Sequence, residues 1–144
     1  MVYEERNKWS ALIVTLTTTI AYVIVVVQAA DGGSLTDVEW WPIMAWTIGA
    51  SIVVTVVISV LWGIIAGMFD PDGVGTSDQR DRDISRMGDR VGQSFMVIGG
   101  LGVIILSAFE ADTFWIANTM FFGFALSAIV GGIASVIAYR RGLA

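Results

Sequence analysis

The residues that could do chemistry fall into three groups. In the first, Asp70, Asp72, Gly75, Asp78 and Asp81 stand at positions 1, 3, 6, 9 and 12 of a twelve-residue segment, the spacing at which oxygen ligands ring a calcium ion. Two positions break the pattern. The fifth needs an oxygen and holds Val74, and the twelfth holds Asp81 where such loops use a bidentate Glu. In the second group, the acids Glu110 and Asp112 could in principle clasp a metal, but acids in a short loop are ordinarily just solvated. No metal site is therefore assigned to either. The third group, Asp78, Arg80, Asp81, Arg82, Asp83, Arg86 and Arg90, has the chemistry of ion pairing and recognition.

What is missing narrows the options further. The chain has no His and no Cys, which removes imidazole bases, thiol nucleophiles and the usual Zn, Cu or haem ligands. No G-x-x-x-x-G-K-[ST] phosphate loop occurs. The expectation is a protein with no catalytic residues and no cofactor, not an enzyme. A formal net charge of −5 also argues against direct binding of nucleic acid by a basic face.

The elements that carry these groups are set by hydrophobicity. Of the 144 residues, 56% are hydrophobic and only 15% are charged, and the mean hydropathy is +0.75. Ordinary soluble domains hold roughly 45–50% apolar residues even with Gly counted, so lipid must take the excess. A hydrocarbon slab about 30 Å thick needs about 20 apolar residues per helix. Four segments qualify, at about 9–30, 42–69, 91–109 and 113–139, and none has Asp, Glu, Lys or Arg in its interior. The second and fourth exceed the slab and must tilt or project beyond it. Pro42 suits a first helical turn. Trp9, Trp40, Trp41, Trp62, Trp115 and Tyr139 lie near span ends, where amphipathic rings anchor at the interface.

Charge then orients the spans. Arg6 and Lys8 precede the first, Arg80, Arg82, Arg86 and Arg90 lie between the second and third, and Arg140 and Arg141 follow the fourth. The two other connections contain only the acids Asp31, Asp37, Glu39, Glu110 and Asp112. By the positive-inside rule the termini and the 70–90 connection are cytoplasmic. On that side eight acids balance eight basic residues, so the formal charge of −5 resides in the five external acids. A rival reading makes Val27-Gln28-Ala29 before Ala30 a signal-peptidase site. The preceding apolar stretch is longer than such signals use, and Glu4 and Glu5 dilute their positive start. The expected fold is all-α: an integral membrane four-helix bundle in the plasma membrane, as in bacteria, with both termini inside.

In lipid, helices associate through small residues that let backbones approach. The second span has Thr47, Ser51, Thr55, Ser59, Gly63 and Gly67 at intervals of four, and the fourth has Gly123, Ser127, Gly131 and Ser135. Such rows wind by roughly 40° per step around a 3.6-residue helix, which makes each a groove for a crossing neighbour. The alternative is a hydrated pathway, but Ser and Thr hydroxyls can bond their own helix carbonyls and need no water. Gly92, Gly99, Gly100, Gly102 and Gly132 are assigned to the same close approach. Thr15, Thr17, Thr18, Thr19 and Tyr22 make the first span rich in hydroxyls, read mainly as interhelical hydrogen bonding. The two hairpins are faintly alike, each turning outside through acids followed by aromatics.

Between the second and third spans, Asp70-Pro71-Asp72-Gly73-Val74-Gly75 is turn chemistry. Thr76, Ser77 or Asp78 can then cap a helix that runs from Gln79 through Arg90 into the third span. On it Arg82, Arg86 and Arg90 lie four apart, with Ile84, Met87 and Val91 on another side. Asp78 with Arg82 and Asp83 with Arg86 are favourable pairs of roughly 0.2–0.5 kcal/mol each. Two readings follow: a solvated helix entrance whose Arg residues meet lipid phosphates, or a docking surface for a cytoplasmic partner.

Asp78-Gln79-Arg80-Asp81-Arg82-Asp83-Ile84, followed by Gly88-Asp89-Arg90-Val91-Gly92, resembles the D-E-R-D loop signature of uncharacterised prokaryotic membrane proteins with four predicted spans. Gln79 replaces the Glu of that signature, and the resemblance covers about 15 residues. Some of those proteins are similar to products encoded beside small helix-turn-helix regulators, so the resemblance implies a regulatory partner and no enzymatic activity.

The function classes can then be ordered. Ion-coupled transporters carry ionisable groups within the membrane, and none occurs here, which argues against proton-coupled export. Gln28, Gln93 and Asn118 could bind a polar solute, but they lie near span ends and suit interhelical or interfacial hydrogen bonds. The reading is a binding or regulatory membrane protein that presents a charged cytoplasmic loop to a partner, with a homodimer open to it through the small-residue grooves. The alternative is a subunit of a channel or transporter for a neutral or polar solute.

Overall fold

The computed structural model describes residues 3–69 and 79–141, and every long element in them is a helix. α1 spans Tyr3–Ala30, α2 Trp40–Phe69, α3 Gln79–Ala108 and α4 Thr113–Arg141, with a short 3₁₀ turn at Leu35–Asp37 between α1 and α2. All four long helices are long and apolar enough to cross a membrane. At 28 to 30 residues each they extend about 42–45 Å, beyond the roughly 30 Å hydrocarbon slab.

The surplus length is not evenly placed. α1 begins six residues before Trp9, and α3 carries its charged sequence from Gln79 to Arg90 as helix before its apolar half begins. The expected continuation of the charged stretch into the third span is thus a single unbroken helix. Pro42 sits in the first turn of α2, where its missing N–H leaves no bond unmade.

The helices pack in the order α2, α1, α4, α3. The tightest contact is α3 on α4, α1 bridges to α4, and α2 rests principally on α1. No residue of the apolar window of α2 is buried, and Ile52, Val53, Val56, Val57, Val60 and Ile64 are all exposed. Soluble monomers rarely expose contiguous apolar patches beyond a few hundred Å².

The α3–α4 contact is built on glycine. A Cβ added at Gly99 would lie 3.0 Å from the Gly123 Cα, one at Gly92 would meet the Ser127 carbonyl at 2.6 Å, and one at Gly131 would meet the Gly88 carbonyl at 2.8 Å. Backbone therefore lies on backbone from Gly88 to Gly99 of α3. Asp81, Ile84, Gly88, Gly92 and Gly99 are the buried residues of α3, and steps of three, four and seven keep them on one face. Gly100 departs from the expected role: it faces open space.

The opposite end is closed by aromatics. Tyr22, Val26 and Phe114 form a buried cluster against Leu35, Trp40, Ile43, Met44 and Phe121, with the Tyr22 and Phe121 rings 4.5 Å apart. Here α3 ends in a left-handed residue, Glu110 at φ 52°. The Ala111 N–H donates to the Leu106 carbonyl (3.0 Å) and the Glu110 N–H to that of Ser107 (3.1 Å), the paired bonds of a Schellman end. Asp112 then opens α4, its Oδ1 accepting from the Phe114 N–H at 2.8 Å.

Candidate functional site

One end of the molecule gathers the start of α1, the end of α2, the start of α3 and the end of α4. The contacts that join them run through basic and aromatic side chains. The Arg6 guanidinium lies 5.2 Å from the centre of the Trp62 ring, and that of Arg140 lies 5.5 Å from the Trp9 ring. Lys8 Nζ donates to Ser85 Oγ at 3.1 Å, linking α1 to α3. Trp62 Nε1 donates to Ser10 Oγ at 3.0 Å, linking α2 to α1. Arg140 and Glu5 form an ion pair at 3.9 Å, and Arg80 donates to the Tyr139 carbonyl at 3.5 Å. Cations over ring faces gain about 0.5–1 kcal/mol at exposed sites, so several weak ties fix this end together.

The charged helix entrance divides into two faces. Arg80, Arg82, Arg86 and Arg90 are exposed, whereas Ile84 is fully buried and Asp81 nearly so. Asp81 also interacts with other residues, so it belongs to the inner face and not to a free surface. Asp83 and Arg86 pair at 3.9 Å across one helical turn, with side chains 45% and 73% exposed. An exposed pair of this kind contributes little to stability. Asp78, and with it the pairing with Arg82 and most of the twelve-residue acidic segment, lies outside the described residues.

The two small-residue rows have different neighbours. Gly123, Ser127, Gly131 and Ser135 lie along the α3 seam, and Ser135 Oγ donates to the Gly131 carbonyl at 3.0 Å. Thr47, Ser51, Thr55, Ser59, Gly63 and Gly67 are all half-buried and form the inner side of α2. Thr47 and Ser51 border an open groove of about 550 Å³ between α2 and α4, floored by Thr15, Thr18 and Thr19 of α1. Four of the five hydroxyls are bonded along their own helices: Thr18 to the Val14 carbonyl, Thr19 to that of Thr15, Thr47 to that of Ile43 and Ser51 to that of Ile48. Bonded in this way, they require no water column.

Asn118 and Tyr22 meet across α1 and α4. The Tyr22 hydroxyl donates to Asn118 Oδ1 at 2.8 Å, and the Asn118 amide donates to the Phe114 carbonyl at 2.8 Å. The sequence points Tyr22 mainly to interhelical bonding and Asn118 to interhelical or interfacial bonding, without pairing them. It also left Glu110 and Asp112 as solvated acids, although Asp112 is a helix cap; a capping residue followed by an apolar run was the available signal. Among the described residues no cluster of three or more His, Cys, Asp or Glu side chains could hold a metal. No protein-family model, curated protein or solved structure matches the chain.

Proposed function

We propose that this chain is a multi-pass plasma-membrane protein of bacterial type with both termini in the cytoplasm, and that it presents the exposed arginine face at the start of α3 to a cytoplasmic regulatory partner. One observation carries the reading: all eight basic residues lie at the end where Lys8, Ser85, Arg140 and Glu5 join the helices, and the opposite connections hold only acids. Lys and Arg resist translocation, so that end stays inside. The resemblance to D-E-R-D loop proteins supports the same assignment.

The partner reading rests on the split of the α3 entrance. Arg82, Arg86 and Arg90 project from a helix already anchored through Ile84 and Asp81, so they are available and held in register. A planar guanidinium on an ordered helix suits recognition of carboxylates. Affinity capture with the full chain tests this. A specific cytoplasmic protein should be retained by the wild type and lost when Arg82, Arg86 and Arg90 are replaced by Gln together. Retention by the triple variant, or movement of a neutral solute into liposomes holding the pure protein, would favour the channel or transporter alternative.

A further inference from the structure

A second groove, of about 460 Å³, opens between α1 and α3 with α4 as its floor. This is within the roughly 300–1,000 Å³ of small-molecule sites. Its mouth and its depth differ in chemistry. Lys8, Asp89 and Gln93 include all of its charge, while Leu12, Met96 and Ala128, with the hydroxyls of Thr15 and Ser127 among them, make the rest mostly apolar. The floor runs over Gly92 and Gly131, where the α3 and α4 backbones are in contact and a β-carbon on either glycine would enter the seam between them.

The position of the two charges is informative. Lys8 immediately precedes Trp9, and Asp89 lies two residues before Val91, where the charged part of α3 gives way to the apolar part. Both therefore sit at the polar–apolar boundary. Lys8 donates to the Ser85 hydroxyl and uses one of its three donors there. Asp89 is exposed and has no hydrogen bond or ion pair among the described residues. A cation and a carboxylate at the mouth of an apolar trough complement a zwitterion with a hydrocarbon tail.

We infer that this groove holds one phospholipid with an ethanolamine headgroup: Lys8 binds the phosphate, Asp89 binds the primary ammonium, and one acyl chain lies over the Gly92–Gly131 floor. The charge-assisted hydrogen bond to the phosphate holds any of these phospholipids, and the one to the primary ammonium gives the selectivity. A choline headgroup has no N–H to donate to Asp89, and the groove has no aromatic ring to take a quaternary ammonium by its face. A glycerol headgroup leaves the carboxylate without a counter-charge beside an anionic phosphate. The inference rests on the membrane insertion proposed above, not on which side the termini occupy.

The test is native mass spectrometry of the full chain, delipidated in detergent and offered equimolar palmitoyl-oleoyl phosphatidylethanolamine, phosphatidylglycerol and phosphatidylcholine. The ethanolamine lipid should be retained about ten-fold over the other two. Asp89→Asn should bring ethanolamine and glycerol lipids to parity, Lys8→Gln should lower retention of all three, and Lys8→Arg should keep the wild-type pattern. Asp89 is exposed, so Asp89→Asn spares folding, which circular dichroism checks. Equal retention of the three lipids by the wild type, or an ethanolamine preference that survives Asp89→Asn, overturns the inference alone. Recovery of the chain as a monodisperse species without detergent would overturn the membrane reading and the inference with it.

Discussion

The Tyr22 hydroxyl and the Asn118 side-chain oxygen, 2.8 Å apart, are a buried polar link between α1 and α4. Tyr22 is 2% and Asn118 5% exposed, so neither can turn to solvent for another partner. Interhelical hydrogen bonds in membranes are worth about 0.6–2 kcal/mol, and a buried acceptor left without its donor adds a desolvation cost. Tyr22→Phe should therefore destabilise the fold by about 1–2 kcal/mol. Asn118→Leu in the Tyr22→Phe background should cost less than Asn118→Leu alone costs in the wild type. Equilibrium unfolding in detergent micelles reads the cycle, and strict additivity would show that the two groups do not act as a pair.

The glycine seam makes a sharper prediction because two glycines of α3, eight residues apart, should respond in opposite directions. At Gly92 a methyl group would collide with the Ser127 carbonyl, which is backbone and cannot swing away, whereas at Gly100 it would meet nothing within 4 Å. Overpacking costs about 1–3 kcal/mol, and an exposed helical Gly costs about 1 kcal/mol relative to Ala. Gly92→Ala should lower the unfolding midpoint and Gly100→Ala should raise it. Equal effects would mean that α3 meets α4 through a different face.

These contrasts mark what could be read from the chain and what could not. The four helices were legible because apolar runs of spanning length, bounded by charges and tryptophans, leave few alternatives. The unbroken course of α3 through Arg90 was legible from the four-residue spacing of Arg82, Arg86 and Arg90. Neighbour relations were not. Gly99, Gly100 and Gly102 look alike in sequence, yet Gly99 touches the Gly123 backbone, Gly102 faces Thr119, and Gly100 faces open space. Two of these glycines are adjacent in the chain but point about 100° apart on the helix, and only the crossing position of α4 decides which is needed. The row on α2 illustrates the same gap. Its interval of four equals that of the α4 row, but it forms the half-buried side of a helix that rests principally on α1.

The acidic end should reveal itself through helix termini and not through ligands. Glu110 holds a left-handed conformation at φ 52°, which β-carbon crowding makes unfavourable by about 1–2 kcal/mol for most residues. Glu110→Gly should therefore stabilise the α3–α4 hairpin, by less than that figure because glycine also loses more chain entropy. Asp112→Ala removes the acceptor for the Phe114 N–H and should cost about 1 kcal/mol. If these acids served instead to bind a divalent cation, millimolar calcium would change the thermal midpoint of the wild type and leave that of Asp112→Ala unmoved.

The orientation of the two ends can be checked directly because the chain has no cysteine of its own. Asp37 and Gln79 are both exposed, one beside the 3₁₀ turn and the other at the start of α3. Single replacements Asp37→Cys and Gln79→Cys remove no basic residue, so they leave the charge bias that sets topology in place. A membrane-impermeant maleimide added to intact cells should modify Asp37→Cys at once and reach Gln79→Cys only after the membrane is broken. The opposite pattern would place the arginine face outside, where no cytoplasmic partner could meet it. Modification of both in intact cells would mean that α1 and α2 do not cross the bilayer as a hairpin.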